Sequence, residues 1–225
     1  MPSDIKNVAV VGAGALGAAY GGMLFDADRQ GVAFVAAGGR LVRLRREGLI
    51  VNGKKYEIPV LDPNDPSPPA DLVLVAVKYH DLDDAIRDMK TRVGRETVIM
   101  SVMNGIDSEE RIGAVYGMEH VLYAVSVGID ALRIGNRVTY TNQGKIYFGE
   151  ATNPHISERV RKVQVLFDKA GIVYETPADM LHVLWWKYMI NVGINQASAV
   201  LRAPYGVFQT SKDGRELMAA AMREV

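Results

Sequence analysis

Val8-Ala9-Val10-Val11-Gly12-Ala13-Gly14-Ala15-Leu16-Gly17 is a four-residue apolar run that ends in the pattern GxGxxG. The run is short and β-branched, as a buried parallel strand would be. Ala15 to about Asp28 then reads as a helix, so the glycines close a strand and open a helix. In that setting each glycine has a task. Gly12 permits the tight turn, Gly14 lets backbone amides approach a pyrophosphate, and Gly17 allows close strand–helix packing. The helix N-terminus adds unpaired N–H groups and a partial positive charge for the phosphates. Ala13, Ala15 and Leu16 complete the expected cofactor-binding turn.

Working outward, strands and helices alternate. Val32–Val35 is a second strand and a basic helix follows through Arg46. Leu49 to Val60 reads as a hairpin turning at Asn52-Gly53, and the proline-rich stretch 62–69 is a loop. Leu72 to Val77 is a strand, Leu82 to Arg92 a helix, Thr97 to Met103 a strand, and Ser108 opens another helix. Val121 to Phe148 passes through strands with turns at Gly135-Asn136 and 142–144. Ser157 to Ala170 is an amphipathic helix and 172–174 a last strand. From Pro177 onward no strand signal remains. The pattern predicts an α/β fold: a Rossmann-type, doubly wound, mostly parallel sheet followed by an all-helical second domain. The expected domains are 1–178, binding a dinucleotide, and 179–225, the start of a helical domain.

Composition narrows the class. The 26 Lys and Arg balance the 26 Asp and Glu, which argues against a nucleic-acid binder or a basic membrane-surface protein. With no cysteine there is no disulfide framework, Cys-ligated metal or thiol nucleophile, in keeping with a cytoplasmic protein. Four histidines without HxxxH-type spacing make no metal site. Val8 to Phe25 carries no charge over eighteen residues, but five of these are glycine. Asp4 and Lys6 cancel, leaving no basic region for a signal peptide.

An NAD-preferring site places Asp or Glu at the end of the second strand, on the ribose 2′-hydroxyl. Here that position reads Ala36-Ala37-Gly38-Gly39, with Arg40, Arg43, Arg45 and Arg46 following. A cationic cluster without an acid suits the 2′-phosphate of NADP. Arg40 and Arg43 are the candidates, with a solvated helix face as the plainer alternative.

Leu181 to Leu201 holds one lysine or arginine, Lys187, in twenty-one residues and no acid. A helix apolar all round is expected to be buried, and an unpaired ammonium in it needs a reason. Lys187, Asn191 and Asn195 follow at i, i+4 and i+8, with Ser198 at i+11. On regular α-helical geometry the four fall within about 80° of arc, in a row roughly 16 Å long. Such a row suits a polar substrate, the lysine protonating a developing alkoxide or holding a carboxylate. It could equally line an interhelical contact with the lysine reaching solvent. Gly193, costly in a helix, implies close approach of something. Lys78 ends the apolar run 72–77, and Asn104-Gly105 ends the run 97–103. Ligands of open parallel sheets bind beyond such strand ends.

Together these residues resemble the ketopantoate reductase family. The matching pieces are the turn Gly12 to Gly17, Val77-Lys78, Asn104-Gly105, Gly149-Glu150, and Trp186-Lys187 with Asn191 and Asn195, in the family's order along nearly the whole chain. The resemblance implies an NADP-dependent oxidoreductase that reduces a small-molecule 2-oxo acid with NADPH, 2-dehydropantoate to pantoate first among them. It implies Lys187 as general acid and Asn191 and Asn195 on the substrate's hydroxyl and carboxylate end. Lys78 and Asn104 would then lie between nicotinamide and substrate. Two departures stand out. Ala37 occupies the place where the family often has an arginine for the 2′-phosphate. Family members also continue with helices that carry a serine and a glutamate of the substrate site, whereas this sequence ends at Val225. Apolar surface left uncovered would favour a homodimer. The rival expectations are a catalytically incomplete nicotinamide-binding sensor and a reductase of a different 2-oxo acid.

Overall fold

Successive residues of the first strand, β1 (Val8–Val11), are buried on opposite sides. Val8 and Val10 join one apolar cluster, and Ala9 and Val11 join another. A strand buried on both faces belongs inside a parallel sheet with helices above and below it. The computed structural model, which describes residues 4–225, has that architecture.

The chain separates into two compact units, Met1–Met180 and Leu181–Val225. In the first, α1 (Ala15–Ala27), β2 (Val32–Val35) and α2 (Gly38–Glu47) follow β1. Then come β3 (Leu49–Val51), β4 (Lys54–Tyr56), β5 (Val60–Leu61), β6 (Leu72–Val75), α3 (Leu82–Asp88), β7 (Val98–Ser101) and α4 (Ser108–Tyr116). The unit continues with β8 (Val121–Val127), β9 (Leu132–Ile134), β10 (Arg137–Thr139), β11 (Lys145–Gly149), α5 (Glu158–Ala170) and β12 (Tyr174–Glu175). The main sheet has the order β12-β11-β8-β7-β6-β1-β2-β5. Every pairing in it is parallel except β11 with β8. Buried residues of α1 and α5 fill the cluster on one face, and Leu82, Ile86 and Ile112 of α3 and α4 fill the other.

A second, four-stranded sheet has the order β4-β3-β10-β9. The 49–60 hairpin forms as expected from Leu49 to Tyr56, but Val60 leaves it. Val60 and Leu61 instead pair in parallel with β2 and extend the main sheet. Parallel pairing of Val51 with Val138 then joins the hairpin to β10, a long-range contact. The expected helix 82–92 ends at Asp88 and tightens into a 3-10 turn at Lys90–Arg92. Strands β6 and β7 are shorter than the apolar runs that contain them, because the chain turns off the sheet at Ala76 and Val102.

Gly149-Glu150 closes the sheet against the following helix. Glu150 accepts from Ser157 Oγ at 2.7 Å and pairs with Arg159, whose guanidinium holds its carboxyl below the usual range. The side chain of buried Asn153 donates to the Pro177 carbonyl at 2.8 Å, and its backbone N–H donates to Ala178 O at the same distance. These bonds tie residues 177–178 to the turn after β11.

The helical elements from Met180 are α6 (Met180–Ile190), a π-helical segment Asn191–Gln196, α7 (Ala197–Leu201), α8 (Val207–Thr210) and α9 (Lys212–Arg223). Among the described residues no helix is long and apolar enough to cross a membrane. The expectation of one regular buried helix over 181–201 is corrected in two ways. The backbone widens into π geometry at Asn191, and Trp185 and Trp186 remain 48% and 40% exposed. The widening coincides with Gly193, where an added Cβ would lie 2.5 Å from Met222 Cγ and 3.2 Å from the Met218 carbonyl. The close approach that Gly193 permits is therefore that of α9.

Candidate active site

The glycine turn lies at the carboxyl end of β1, between β6 and β2. Gly12 has φ of +103°, and a Cβ there would meet the Ala76 carbonyl at 2.7 Å. A Cβ on Gly17 would collide with the Gly12 carbonyl. Internal packing thus accounts for both. Gly14 differs. It adopts an extended conformation open to any residue, and the nearest atom to an added Cβ is Ala76 O at 3.8 Å. No side chain caps the helix that Gly14 opens, and no acid occupies its first turn. The turn therefore sets a loosely packed glycine beside first-turn N–H groups that have no intrahelical partner, a shape and polarity that suit a phosphate.

Lys78 and Asn104 lie three residues beyond Val75 and Ser101, which are register partners in β6 and β7. Both are exposed at the same sheet edge as the glycine turn. The structure thus brings together Gly12 to Gly17, Lys78 and Asn104. A buried relay supports the Asn104 turn. Ser101 Oγ lies 2.8 Å from Ser108 Oγ, and Ser108 donates to Glu109 Oε2 at 2.8 Å. Burial pushes the Glu109 carboxyl up from 4.5 to about 7, against hydrogen bonds from Ser108 and two backbone N–H groups. Glu109 went unnoticed in sequence because an acid in the first turn of a helix ordinarily faces solvent.

Arg40 is not free at the end of β2. It pairs with Asp81 at 2.5 Å, which raises its already high basicity. Arg43 is exposed one turn further along α2. A cation that sequence reasoning missed, Arg133 of β9, reaches the glycine turn. Its Nη1 donates to the Ala13 carbonyl, and its Nε donates to Gly135 O at 2.8 Å.

The helical unit holds the other set. Lys187 is partly buried, and burial pushes its ammonium below the ordinary lysine range. Asn195 Nδ2 donates to Asn191 Oδ1 at 3.2 Å, while its Oδ1 accepts from Tyr205 at 2.5 Å. The regular α-helical row is thus replaced by a bonded asparagine pair across a widened turn. Tyr205, outside any periodic pattern, was invisible as its support. Ser198 donates to the Ala203 carbonyl at 2.6 Å and so braces the turn after α7.

Comparison with known proteins adds to this geometry. The family profile described as ketopantoate reductase PanE/ApbA matches residues 8–153, and that of its C-terminal region matches 179–225. A 2-dehydropantoate 2-reductase of Archaeoglobus fulgidus is 32% identical over 204 residues, covering 90% of this chain and 66% of that protein. The crystal structure of a 2-dehydropantoate 2-reductase from Geobacter metallireducens superposes with a TM-score of 0.82 at 25% identity, over 97% of this chain and 73% of that one. D-mandelate dehydrogenase, solved with NADH and anilino(oxo)acetate, gives a TM-score of 0.84 at 18% identity, over 95% of this chain and 70% of its own. A dimeric ketopantoate reductase from Staphylococcus aureus gives 0.78 at 20% identity, over 96% and 76%.

Two outcomes follow from the packing. Gly17→Ala is expected to lower stability by about 1–3 kcal/mol through overpacking. Gly14→Ala, whose Cβ would make only an ordinary contact with Ala76 O at 3.8 Å, should leave the urea midpoint unchanged yet weaken dinucleotide binding at least tenfold by fluorescence titration. Retained binding in Gly14→Ala would show that this turn is no phosphate cradle. Glu109 supplies a pH signature. Its folded pKa lies above its unfolded value, so the native state binds more protons between 4.5 and about 7. Stability from this group is therefore lost as pH rises through that window. Glu109→Gln should gain on wild type by about 3 kcal/mol between pH 4.5 and pH 8 in urea unfolding. Parallel curves for the two proteins would refute the assignment.

Proposed function

The chain belongs to the ketopantoate reductase PanE/ApbA family, and we propose that it reduces 2-dehydropantoate to pantoate with NADPH. The observation that carries this reading is the uncovered Gly14 turn flanked at one sheet edge by Lys78 and Asn104. That edge suits a nicotinamide dinucleotide, its phosphates on the α1 N-terminus. NADPH, when bound, supplies the hydride to the substrate's C2.

The chain's own residues manage the proton and the position of the substrate. Lys187 carries a proton at Nζ and delivers it to the ketone oxygen as negative charge develops there. Partial burial lowers its pKa toward the working range, because desolvation disfavours the ammonium. Tyr205 and Asn191 hold the Asn195 amide in one orientation, which leaves an N–H for the substrate's hydroxyl or carboxylate end. Lys78 and Asn104 orient nicotinamide and substrate from the sheet edge. In this proposal residues 1–178 bind the cofactor and 179–225 supply the proton donor and substrate contacts. The protein works in the cytoplasm, and the exposed Trp185 and Trp186 favour a homodimer.

Steady-state turnover tests the reading. Lys187→Met is expected to cut kcat by at least ~100-fold while leaving NADPH affinity within twofold of wild type. Activity requires the protonated lysine, whose pKa is depressed. The basic limb of the wild-type kcat profile should therefore fall below ~10.4, the ordinary lysine value. Near-normal turnover in Lys187→Met would remove the lysine from the reaction. Turnover of 2-oxophenylacetate in preference to 2-dehydropantoate would assign a different 2-oxo acid. Binding of NADPH without turnover of any 2-oxo acid would favour a sensor.

A further inference from the structure

The arginines of α2 are not equivalent. Arg40 is paired with Asp81, Arg45 bonds the Val60 carbonyl and Asp65, and Arg46 pairs with Glu47. Arg43 alone among them forms no ion pair among the described residues, and it stays exposed on the helix that begins at the end of β2. Arg133 enters the same region from a different direction. It sits on β9, at the edge of the small sheet whose strand β3 follows directly from α2. Asn136 Nδ2 donates to the Glu47 carbonyl at 3.1 Å and ties the β9–β10 turn to the end of α2.

Arg133 has no carboxylate partner among the described residues. Its guanidinium is held by two carbonyls, Ala13 in the glycine turn and Gly135 in its own turn. Both bonds fix its orientation without neutralising its charge. A guanidinium has five N–H donors, so Nη2 and one N–H of Nη1 remain for another acceptor. Burial and the neighbouring Arg43 both oppose the Arg133 charge, and Glu47 favours it only more weakly. Two cations brought together beside a phosphate-shaped turn are stabilised by an anion between them. In this fold the end of β2 faces the adenosine ribose, where an arginine accommodates a 2′-phosphate.

We propose that Arg133 and Arg43 together form the 2′-phosphate subsite of the cofactor, taking the role left open by Ala37. The inference rests on the NADPH reading and deepens it. Arg133 contributes from outside the β1–β2 unit that ordinarily carries this recognition. Its bond to Ala13 links selectivity for the 2′-phosphate to the position of the glycine turn.

The test uses the full chain and measures dissociation constants for NADPH, NADH and adenosine 2′,5′-bisphosphate at fixed salt. Arg133→Gln can still donate to the Ala13 carbonyl but lacks the charge, and Arg43→Met removes the second cation. Each is expected to weaken NADPH and the bisphosphate at least tenfold and NADH less than threefold. The double variant should bind NADPH and NADH within threefold of each other, with an unfolding midpoint close to wild type. Arg133→Lys, which keeps the charge if the Gln variant fails to fold, should retain most of the NADPH preference. Equal losses for NADPH and NADH would overturn the 2′-phosphate assignment and make Arg133 a brace of the turn. Loss below threefold for every probe would overturn it as well. A wild type that binds NADH as tightly as NADPH would instead refute the underlying NADPH reading.

Discussion

The backbone of Gly17 packs against the carbonyl of Gly12, with no room for a single methyl group between them. This contact seats the first turn of α1 directly on the end of β1. It points the helix N-terminus over the sheet edge and leaves Gly14 uncovered between them. The parallel register then places the ends of β6 and β7 alongside, so that Lys78 and Asn104 emerge at the same edge. The cofactor site proposed here needs little dedicated sequence. It follows from one close backbone approach and from the shared direction of the strands.

The helical unit obeys a different constraint. Gly193 lets α9 approach so closely that Met222 and Met218 occupy the space of a side chain. The helix widens into π geometry at the same residues, a local device frequent at functional sites. Asn191 and Asn195 bond across the widened turn, and Tyr205 fixes the second amide from the following loop. Packing of apolar residues and orientation of polar ones are thus coupled at one glycine. Trp185, Trp186, Val200 and Leu201 stay exposed.

Much of this was legible in the residues themselves. The order of strands and helices through residue 175 follows from apolar runs and turn residues, because a buried parallel strand and an amphipathic helix leave different local patterns. The glycine turn, Lys78 and Asn104 were legible for the same reason, each marking the end of an apolar run. The two hairpins of the small sheet were legible from their turns, but their joining into a second sheet was not, since Val51 finds Val138 only through the tertiary fold. Arg133 was hidden with it, as its position depends on that pairing. The π segment was hidden because it coincides with the approach of α9 at Gly193, a tertiary contact that no periodicity within 181–201 encodes. Glu109 reads as an ordinary helix-opening acid until β8 is seen to cover it.

The proposed reaction moves a hydride from NADPH to the ketone carbon of a 2-oxo acid. The most direct measurement is a reaction of the protein with 2-dehydropantoate and NADPH dideuterated at the nicotinamide C4, followed by mass spectrometry and NMR of the product. Pantoate carrying one deuterium at C2 is the expected product. Unlabelled pantoate, or deuterated NADPH left unconsumed, would contradict it.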